Sequence, residues 1–302
     1  MRGAKTLGVH VEGSDAALED MAVIDTVMGA GADFGRGIEI QPDPSTGACS
    51  NVSVDRSYVG GNHDLGVLVA SSNAVVDATV IRDTQTIGDG TSGWGLSTQF
   101  VPGSQACEGA VVSRSLVENS YGMGVRAYGL PLVLDASIVR DTKARPADAL
   151  GGQGVTVVDR EGVTTMAVVS ASIIERNVTT GVLVFHSDLT ITSSWIRDTS
   201  PMSNGSYGDG LVQLVLDLPS MVRVSETRIT DSARAGLSTF GGAIEVGGSA
   251  MVCNPIALHA QVFADNDPIF VDLGGNECRC GDDVGTCKVS NVELVPPEPL
   301  TD

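Results

Sequence analysis

Residues 172–184, SIIERNVTTGVLV, contain both halves of a pattern that recurs along most of the chain. The first half is Ser or Thr, a variable residue, an apolar residue, a second variable residue and Asp or Asn, as SIVRD at 137–141 shows in full. The second half is Gly followed by alternating apolar positions, as in Gly-Val-Leu-Val at 181–184. A repeat of fixed period takes precedence over any local assignment of helix or strand.

The central apolar residue of the first half is called the anchor here. Successive anchors are separated alternately by 33 to 36 and by 22 residues, and the distance from an anchor to the next Gly alternates between 14 or 15 and 7. The basic coil therefore has 22 residues. Every second coil is longer because it carries two insertions, one before the Gly and one after it. The anchors are Val23, Val59, Ile81, Val117, Val139, Ile174, Ile196 and Ile229, and the Gly column is Gly8, Gly37, Gly66, Gly95, Gly124, Gly154, Gly181, Gly210 and Gly236.

The segments after each Gly are short, β-branched and alternating, which favours strands over helices. No single coil can bury its own apolar side, so the coils must stack on one another. The repeat resembles the generic coil of the pectate-lyase-like superfamily over roughly residues 8–245. It predicts an all-β, single-stranded, right-handed parallel β-helix of about nine coils, alternately short and long. We expect this solenoid over residues 1–250, followed by a Cys-rich cap and extended tail over residues 251–302.

The composition excludes several classes of protein. The chain has 302 residues and a formal net charge of −19, so it repels the phosphates of nucleic acids and anionic lipid headgroups. No apolar run approaches the roughly 20 residues that cross a bilayer. We therefore expect a folded protein that neither binds nucleic acid nor inserts into a membrane.

Three further columns follow from the alignment of coils. Hydroxyl residues two before the anchor, such as Ser137 and Ser172, predict an internal ladder in which each hydroxyl donates to the next coil. The charged residues just after the anchor predict an outward salt-bridge ladder rather than an anion site. Asp and Asn two after the anchor predict corner geometry rather than a row of cation ligands. The charged column is Arg82, Glu118, Arg140, Glu175 and Arg197, and the corner column is Asp25, Asp83, Asn119, Asp141, Asp198 and Asp231.

The insertions before the Gly column are expected to emerge on one flank, where solenoids commonly bind ligands. They carry Asp33, Asp89, Asp148 and Asp209, which are weak candidates for a Ca²⁺ site because Ca²⁺ takes oxygen ligands. Solvated loops without metal are the favoured interpretation, since the spacing matches neither an EF-hand loop nor a Gly-Gly-x-Gly-x-Asp repeat. No other cofactor is predicted.

The function predicted from these features is a non-catalytic scaffold that presents loops to a glycan or a surface protein. Polygalacturonase-like enzymes and pectate lyases resemble the architecture, but their Asn-Thr-Asp, Gly-His-Gly and Arg-x-Pro-x-x-Arg elements are not found in this sequence. Few aromatic residues are available as sugar platforms. The alternative is a polysaccharide lyase or glycoside hydrolase acting on the loop-bearing flank, with Asp83, Asp89, Arg140 and Asp148 as candidate catalytic residues.

Six cysteines indicate disulfides and hence an oxidising compartment, which implies an extracellular or cell-surface protein. Cys49 and Cys107 occupy equivalent insertions and are expected to pair. Two bridges are favoured over zinc for Cys253, Cys278, Cys280 and Cys287, because Cys-x-Cys is not a usual zinc spacing. Since Gly8 already fits the Gly column, the chain opens inside a coil, and we expect it to be the C-terminal part of a longer secreted or surface protein. The expected alternative is a monomer.

Overall fold

The computed structural model describes residues 1–30, 34–280 and 287–297, and within these ranges it contains strands, bends and turns but no helix. The strands form three sheets whose neighbours are all parallel and are always contributed by successive coils. The chain is therefore a right-handed parallel β-helix, as predicted. Nine coils contribute a strand to all three sheets, which confirms the expected number.

Sheet 1 has eleven strands and contains the Gly column. Its members are β1 (Leu7–Glu12), β4 (Arg36–Gln41), β7 (Leu65–Ala70), β10 (Trp94–Gln99), β13 (Met123–Tyr128), β16 (Gln153–Val158), β19 (Thr180–Phe185), β22 (Asp209–Leu214), β25 (Ala235–Phe240), β28 (Ile256–Gln261) and β30 (Val289–Ser290).

Sheet 2 has ten strands, and each follows a strand of sheet 1 along the chain. Its members are β2 (Asp15–Glu19), β5 (Asn51–Asp55), β8 (Asn73–Asp77), β11 (Gly109–Ser113), β14 (Leu132–Asp135), β17 (Met166–Ser170), β20 (Asp188–Thr192), β23 (Met221–Ser225), β26 (Ala243–Gly247) and β29 (Ile269–Asp272).

Sheet 3 has nine short strands with the anchors at their centres. Its members are β3 (Ala22–Ile24), β6 (Tyr58–Gly60), β9 (Val80–Arg82), β12 (Leu116–Glu118), β15 (Ile138–Arg140), β18 (Ile173–Glu175), β21 (Trp195–Arg197), β24 (Arg228–Thr230) and β27 (Ala250–Val252).

The anchors and most of the first and third residues after each Gly form one continuous apolar core, and Thr98, Gln213 and Thr239 are polar exceptions at the third position. Every anchor is at most 1% exposed. The Gly column is needed because sheet 1 approaches the anchors closely. A Cβ on Gly181 would lie 2.5 Å from Cγ2 of Ile196 and 2.6 Å from the carbonyl oxygen of Gly210. A side chain larger than hydrogen would therefore push the coils apart at this column.

The corner column has the backbone geometry that the sequence predicts. Its Asp and Asn residues all adopt the left-handed conformation, with φ between 55° and 58°. A second corner, just before the hydroxyl column, has φ between 46° and 51° at Ala78, Ala136 and Ala171 among others. Each coil therefore makes two of its turns with left-handed residues, only one of which has a recognisable sequence signature.

The hydroxyl column is buried and ordered, but its hydrogen bonds differ from the prediction. The hydroxyl of Ser172 accepts a hydrogen bond from the backbone N–H of Ser137, on the preceding coil, at 3.1 Å. It donates to the carbonyl oxygen of Ser170, two residues back in its own coil, at 2.7 Å. The same two bonds recur at Ser137 and Thr227. Each hydroxyl thus ties a backbone N–H to a neighbouring coil instead of donating to the next hydroxyl.

The charged column forms the expected ladder of ion pairs. Arg140 Nη2 lies 2.7 Å from Glu118 Oε2, and Arg197 Nη2 lies 2.5 Å from Glu175 Oε2. The glutamates are buried and the arginines cover them. Burial tends to raise the pKa of Glu175, but hydrogen bonds from Arg197 and Arg176 outweigh it and hold that pKa below its ordinary value.

The cysteines form three disulfides, which confirms the pairing of Cys49 with Cys107 and the preference for bridges over zinc. The other two pairs are Cys253–Cys280 and Cys278–Cys287. Strand stacking continues past residue 250, where the sequence places the start of the cap, because β28 and β29 extend sheets 1 and 2. The bridges lie at the end of this last partial coil.

Candidate functional site

The outer face of sheet 1 lies between two sets of inserted loops, and we call it the groove. Its floor consists of the outward side chains of sheet 1, which are the residue before each Gly and the second and fourth residues after it. Strands β4, β10, β16 and β22 each have an inserted loop at both ends. The insertions before the Gly column share one side of sheet 1, and the insertions after it lie on the opposite side, so together they form two walls.

Each wall consists of loops from alternate coils that contact one another or the floor. The first wall contains residues 83–93, 141–152 and 198–208, with the described part of 25–35, and the second contains 42–50, 100–108, 159–165 and 215–220. Leu150 from the first wall and Val101 from the second both pack on a floor cluster that includes Leu68 and Trp94. A Cβ on Gly90 would lie only 3.1 Å from Ala147, so the loops of coils two apart meet.

A buried arginine lies in the middle of the floor. Arg126 is 1% exposed, although it occupies an outward position, and its guanidinium carbon lies 4.4 Å from the ring centre of Trp94 and 4.0 Å from that of Tyr128. Stacking of this kind combines cation–π attraction with apolar contact. Arg126 thus brings two of the few aromatic side chains of the protein together at the centre of the groove.

Several polar groups of the floor are buried without a hydrogen-bond partner among the described residues. They project from outward positions of β10, β16, β19 and β28, a span of six coils or about 29 Å at the usual strand spacing. Buried polar groups are nearly always paired. Unpartnered hydroxyls also occur three residues after the anchors, at Thr26, Thr84 and Thr142 among others, so what distinguishes the floor row is its position on the outward face of sheet 1. The atoms of the floor row are Trp94 Nε1, Ser97 Oγ, Gln153 Oε1, Thr156 Oγ1, Thr180 Oγ1 and both ring nitrogens of His259.

A charged cluster lies towards the C-terminal end of the floor. Arg234 Nε donates to Asp209 Oδ2 at 2.9 Å, and the Ser238 hydroxyl donates to Asp209 Oδ1 at 3.0 Å. Burial raises the pKa of the Asp209 carboxyl and outweighs these hydrogen bonds, which act to lower it. Burial, together with the charge of Arg234, lowers the pKa of His259 to about 4. At neutral pH the imidazole of His259 is therefore uncharged.

A second charged cluster lies at the N-terminal end of the floor. Arg36 pairs with Glu39 and lies 2.8 Å from Asp64 through its Nε. Gln41 donates to Glu39 Oε1 at 2.9 Å, and His10 Nδ1 lies 3.3 Å from Glu39 Oε2. Glu39 is buried while His10 is partly exposed, so an acid and an imidazole meet in this cluster.

The residues proposed from the sequence as catalytic lie outside the floor. Asp83 occupies a corner and pairs with Arg82 at 2.7 Å, and Arg140 belongs to the charge ladder of sheet 3. Asp89 and Asp148 are in the first wall, where Asp89 accepts hydrogen bonds from Thr91. Asp148 pairs with Arg145 at 2.6 Å. The loops that carry Asp89 and Asp148 meet, and Arg145 lies near both carboxylates, but Asp83 and Arg140 do not join them in one cluster.

The weak Ca²⁺ candidates are also dispersed. Asp33 lies outside the described residues, Asp89 and Asp148 have the wall partners just given, and Asp209 is paired with Arg234 in the floor. Among the described residues no group of three or more His, Cys, Asp or Glu side chains is arranged to hold a metal ion. Likewise, no helix in the described ranges is long and apolar enough to cross a bilayer.

Sequence reasoning missed the floor residues because it examined only part of the outward face. The second position after the Gly, which includes Glu39 and Arg126, is outward and mixed in composition, and His259 continues it beyond the last Gly of the column, opposite Ser238. The position before the Gly contributes Arg36, Trp94 and Asp209, and it was not considered as a column. Reading both columns together places charged, aromatic and hydroxyl residues side by side, and this signal is available from the sequence.

Comparison with models of protein families and with curated protein sequences gives no match. Among solved structures, the periplasmic alginate epimerase AlgG superposes with a TM-score of 0.61 at 12% identity, covering 94% of this chain and 61% of the epimerase. The Dettilon tailspike protein superposes with a TM-score of 0.56 at 12% identity, covering 92% of this chain and 54% of the tailspike. This chain thus spans about three fifths of the length of the epimerase. At such identities the likeness is one of fold, and the chain has the right-handed parallel β-helix fold that these proteins share.

Proposed function

We propose that this protein is secreted or displayed at the cell surface and binds a polysaccharide along the groove. The observation that carries the proposal is the row of buried, unpartnered polar groups on the floor, from Trp94 to His259. Leaving such a group unpaired costs about 1–3 kcal/mol. Sugar hydroxyls both donate and accept hydrogen bonds, so a chain of sugars lying along the stack would pair these groups one after another.

The shape of the groove supports a linear polymer. The unpartnered groups are spread over about 29 Å along the helix axis, which suits an extended ligand better than a single small molecule. Walls on both sides would hold the polymer parallel to the axis. The same fold occurs in an alginate epimerase, an enzyme of polysaccharide chemistry, and three disulfides favour an oxidising compartment.

The charges of the floor favour a neutral polysaccharide over a uronate polymer. Arg234 is compensated by Asp209, and Arg36 is compensated by Glu39 and Asp64. His259 is uncharged at neutral pH because its pKa is lowered to about 4. The whole chain also carries a net charge of −19, which repels polyanions.

Binding assays with hydroxyl-deleted variants test the proposal. The full chain would be titrated with a panel of neutral and acidic polysaccharides by affinity electrophoresis and calorimetry. Thr156→Val and Thr180→Val remove unpartnered floor hydroxyls and are expected to weaken binding about five- to tenfold each, as the loss of a hydrogen bond implies. Thr190→Val, on the outer face of sheet 2, is the matched control and should bind normally. Equal affinities for all three variants, or binding of none of the polymers, would refute the proposal.

Catalysis on the bound polymer is the second candidate, and one observation favours it. His10 and Glu39 place an imidazole 3.3 Å from a carboxylate in the N-terminal cluster of the floor, within reach of general acid–base chemistry. Assays for new reducing ends and for unsaturated sugars, with and without Ca²⁺, distinguish hydrolase from lyase activity. Turnover that is lost in Glu39→Gln while binding persists would establish catalysis at this cluster, whereas turnover lost in Asp89→Ala would place it in the first wall.

A further inference from the structure

The C-terminal segment of residues 288–297, which we call the strap, runs along the groove. It starts as β30, which pairs with β28 at the last position of sheet 1, with Val289 opposite Leu258. Seven residues later, Pro297 lies beside Gln153 and Thr179, at the level of β16 and β19. Seven extended residues span about 23 Å and five strand spacings span about 24 Å, so the strap is extended and runs back across the strands.

The strap contacts the floor through both apolar and polar groups. Leu294 packs on the floor cluster of Leu183, Val212, Leu214 and Phe240. The carbonyl oxygen of Val295 accepts a hydrogen bond of 2.8 Å from Nη1 of Arg234. Pro297 is buried, and together with Leu150, Gln153, Thr179, Met202 and Tyr207 it lines a small cavity.

These contacts lie over the part of the floor that the polysaccharide would occupy. The guanidinium of Arg234 uses Nε and Nη2 for Asp209 and presents Nη1 to the strap. The carbonyl of Val295 therefore holds the position at which a sugar oxygen would accept the same hydrogen bond. Gln153, which has an unpartnered Oε1, lines the same small cavity as Pro297.

The strap is attached so that it can leave the floor while the coils stay folded. Val292 and Val295 are 52% and 67% exposed, so much of the segment faces solvent. Pro296 and Pro297 have no backbone N–H and cannot join a sheet. The disulfide between Cys278 and Cys287 fixes the chain just before the strap, and the coils beneath it are complete without it.

We propose that the strap is an intramolecular occupant of the groove, which a polysaccharide displaces when it binds. The inference rests on the proposed function for the identity of the competing ligand, but the seating of the strap itself does not. The apparent affinity of the groove for polysaccharide would equal its intrinsic affinity multiplied by the fraction of molecules in which the strap has left the floor. A polymer bound first over β1 to β13, which the strap does not reach, could then displace the strap progressively from Pro297 towards β30.

Variants of the full chain test the proposal. Leu294→Ser combined with Pro297→Ser removes the two apolar contacts of the strap, whereas Val292→Ser changes an exposed residue of the same segment and is the control. A dye coupled enzymatically to the C-terminus reports strap mobility through its fluorescence anisotropy. We expect the double variant to lower the anisotropy without any ligand and to bind polysaccharide about tenfold more tightly, with the control unchanged. Adding polysaccharide to the original chain should also lower the anisotropy.

The two readouts separate failure of the strap from failure of the proposed function. If the double variant has lower anisotropy but no variant binds polysaccharide, the strap is releasable and polysaccharide is not its competitor. Polysaccharide binding with equal affinity in all variants would retain the function and refute the strap as an occupant. A double variant that melts several degrees lower without gaining affinity would show that the segment is only a stabilising cap.

Discussion

The Cα atoms of Cys49 and Cys107 lie 6.0 Å apart, although the two residues belong to coils that are not neighbours. Two coils are about 9.6 Å apart along the stack, which is too far for a disulfide between regular positions. The intervening short coil has only Ser71 and Ser72 between its strands of sheets 1 and 2, so the long loops close over it. A Cβ on Gly47 would lie 3.0 Å from Ser104, which shows how closely the loops meet.

Removal of this disulfide should be more costly than removal of a short-range one. Cys49→Ser with Cys107→Ser opens a link across 58 residues and is expected to lower the free energy of unfolding by about 4 kcal/mol. Cys278→Ser with Cys287→Ser opens a link across 9 residues and should cost about 2.5 kcal/mol. Denaturant unfolding of both variants measures the difference. A larger loss from the short link would contradict the chain-entropy explanation.

The close approach at the Gly column gives a second prediction. Gly181→Ala places a Cβ within 2.6 Å of the neighbouring coil and of an anchor, and we expect a loss of about 1–3 kcal/mol from overpacking. Gly88→Ala is the control, because the new Cβ would meet only the flexible end of Met28 at 3.4 Å. Thermal unfolding followed by circular dichroism should show a lower Tm for the first variant alone. Equal Tm values would mean that the coils can separate locally at no cost.

The hydroxyl ladder gives a third prediction. Ser172→Ala deprives the buried N–H of Ser137 of its acceptor, so the free energy of unfolding should fall by about 1–3 kcal/mol. Ser172→Thr retains the hydroxyl, and Thr occupies this column at 79 and 227, so it should be tolerated. Denaturant titration compares the two variants. If Ala and Thr behaved alike, the N–H would not depend on the ladder.

His259 makes stability depend on pH in a defined window. Its folded pKa of about 4 lies below the ordinary value of 6.5, so between these values the unfolded chain binds more protons. The contribution of the neutral imidazole is complete above pH 6.5 and is lost as the pH falls towards 4. Between pH 7.5 and 4.5 this loss should reach roughly 2 to 3 kcal/mol.

The comparison that isolates His259 is with His259→Gln, which cannot titrate. Asp209 and Arg234 lie close by and remain in both proteins, so their effects cancel in the difference. The free energy of unfolding of the original chain should fall more steeply with acid than that of the variant. If the free energies of unfolding of the two proteins fell in parallel from pH 7.5 to 4.5, His259 would take up its proton in the folded chain as readily as in the unfolded chain.

The fold was predictable because each column has a physical cause that restricts residue type. Gly181 and its equivalents have no space for a side chain, anchors such as Ile196 are fully buried, and Asp141 and its equivalents adopt a left-handed conformation. The second corner had no such signature. Its left-handed residues include Ala78, Arg114 and Glu226, whose side chains are unrelated.

The candidate site was less predictable because it depends on which loops and columns share a face. The two insertions of each long coil were evident in the sequence, but their position on opposite sides of sheet 1 follows from the strand order. The contact of Arg234 with Val295 joins residues 61 apart that share no repeat position. A tail outside the repeat gives no alignment from which its path could be predicted.

The alternation of long and short coils also determines how such a chain can change in length. Cys49 and Cys107 are 58 residues apart, and the same interval separates Gly8 from Gly66 and Gly37 from Gly95. A duplication or deletion of one 58-residue unit would leave every buried column in register and would add or remove one loop from each wall. Loss of a single coil would instead place two long coils next to each other. The unit that can be duplicated or deleted without disturbing the buried columns is therefore a pair of one long and one short coil. Related chains should differ in length by whole pairs.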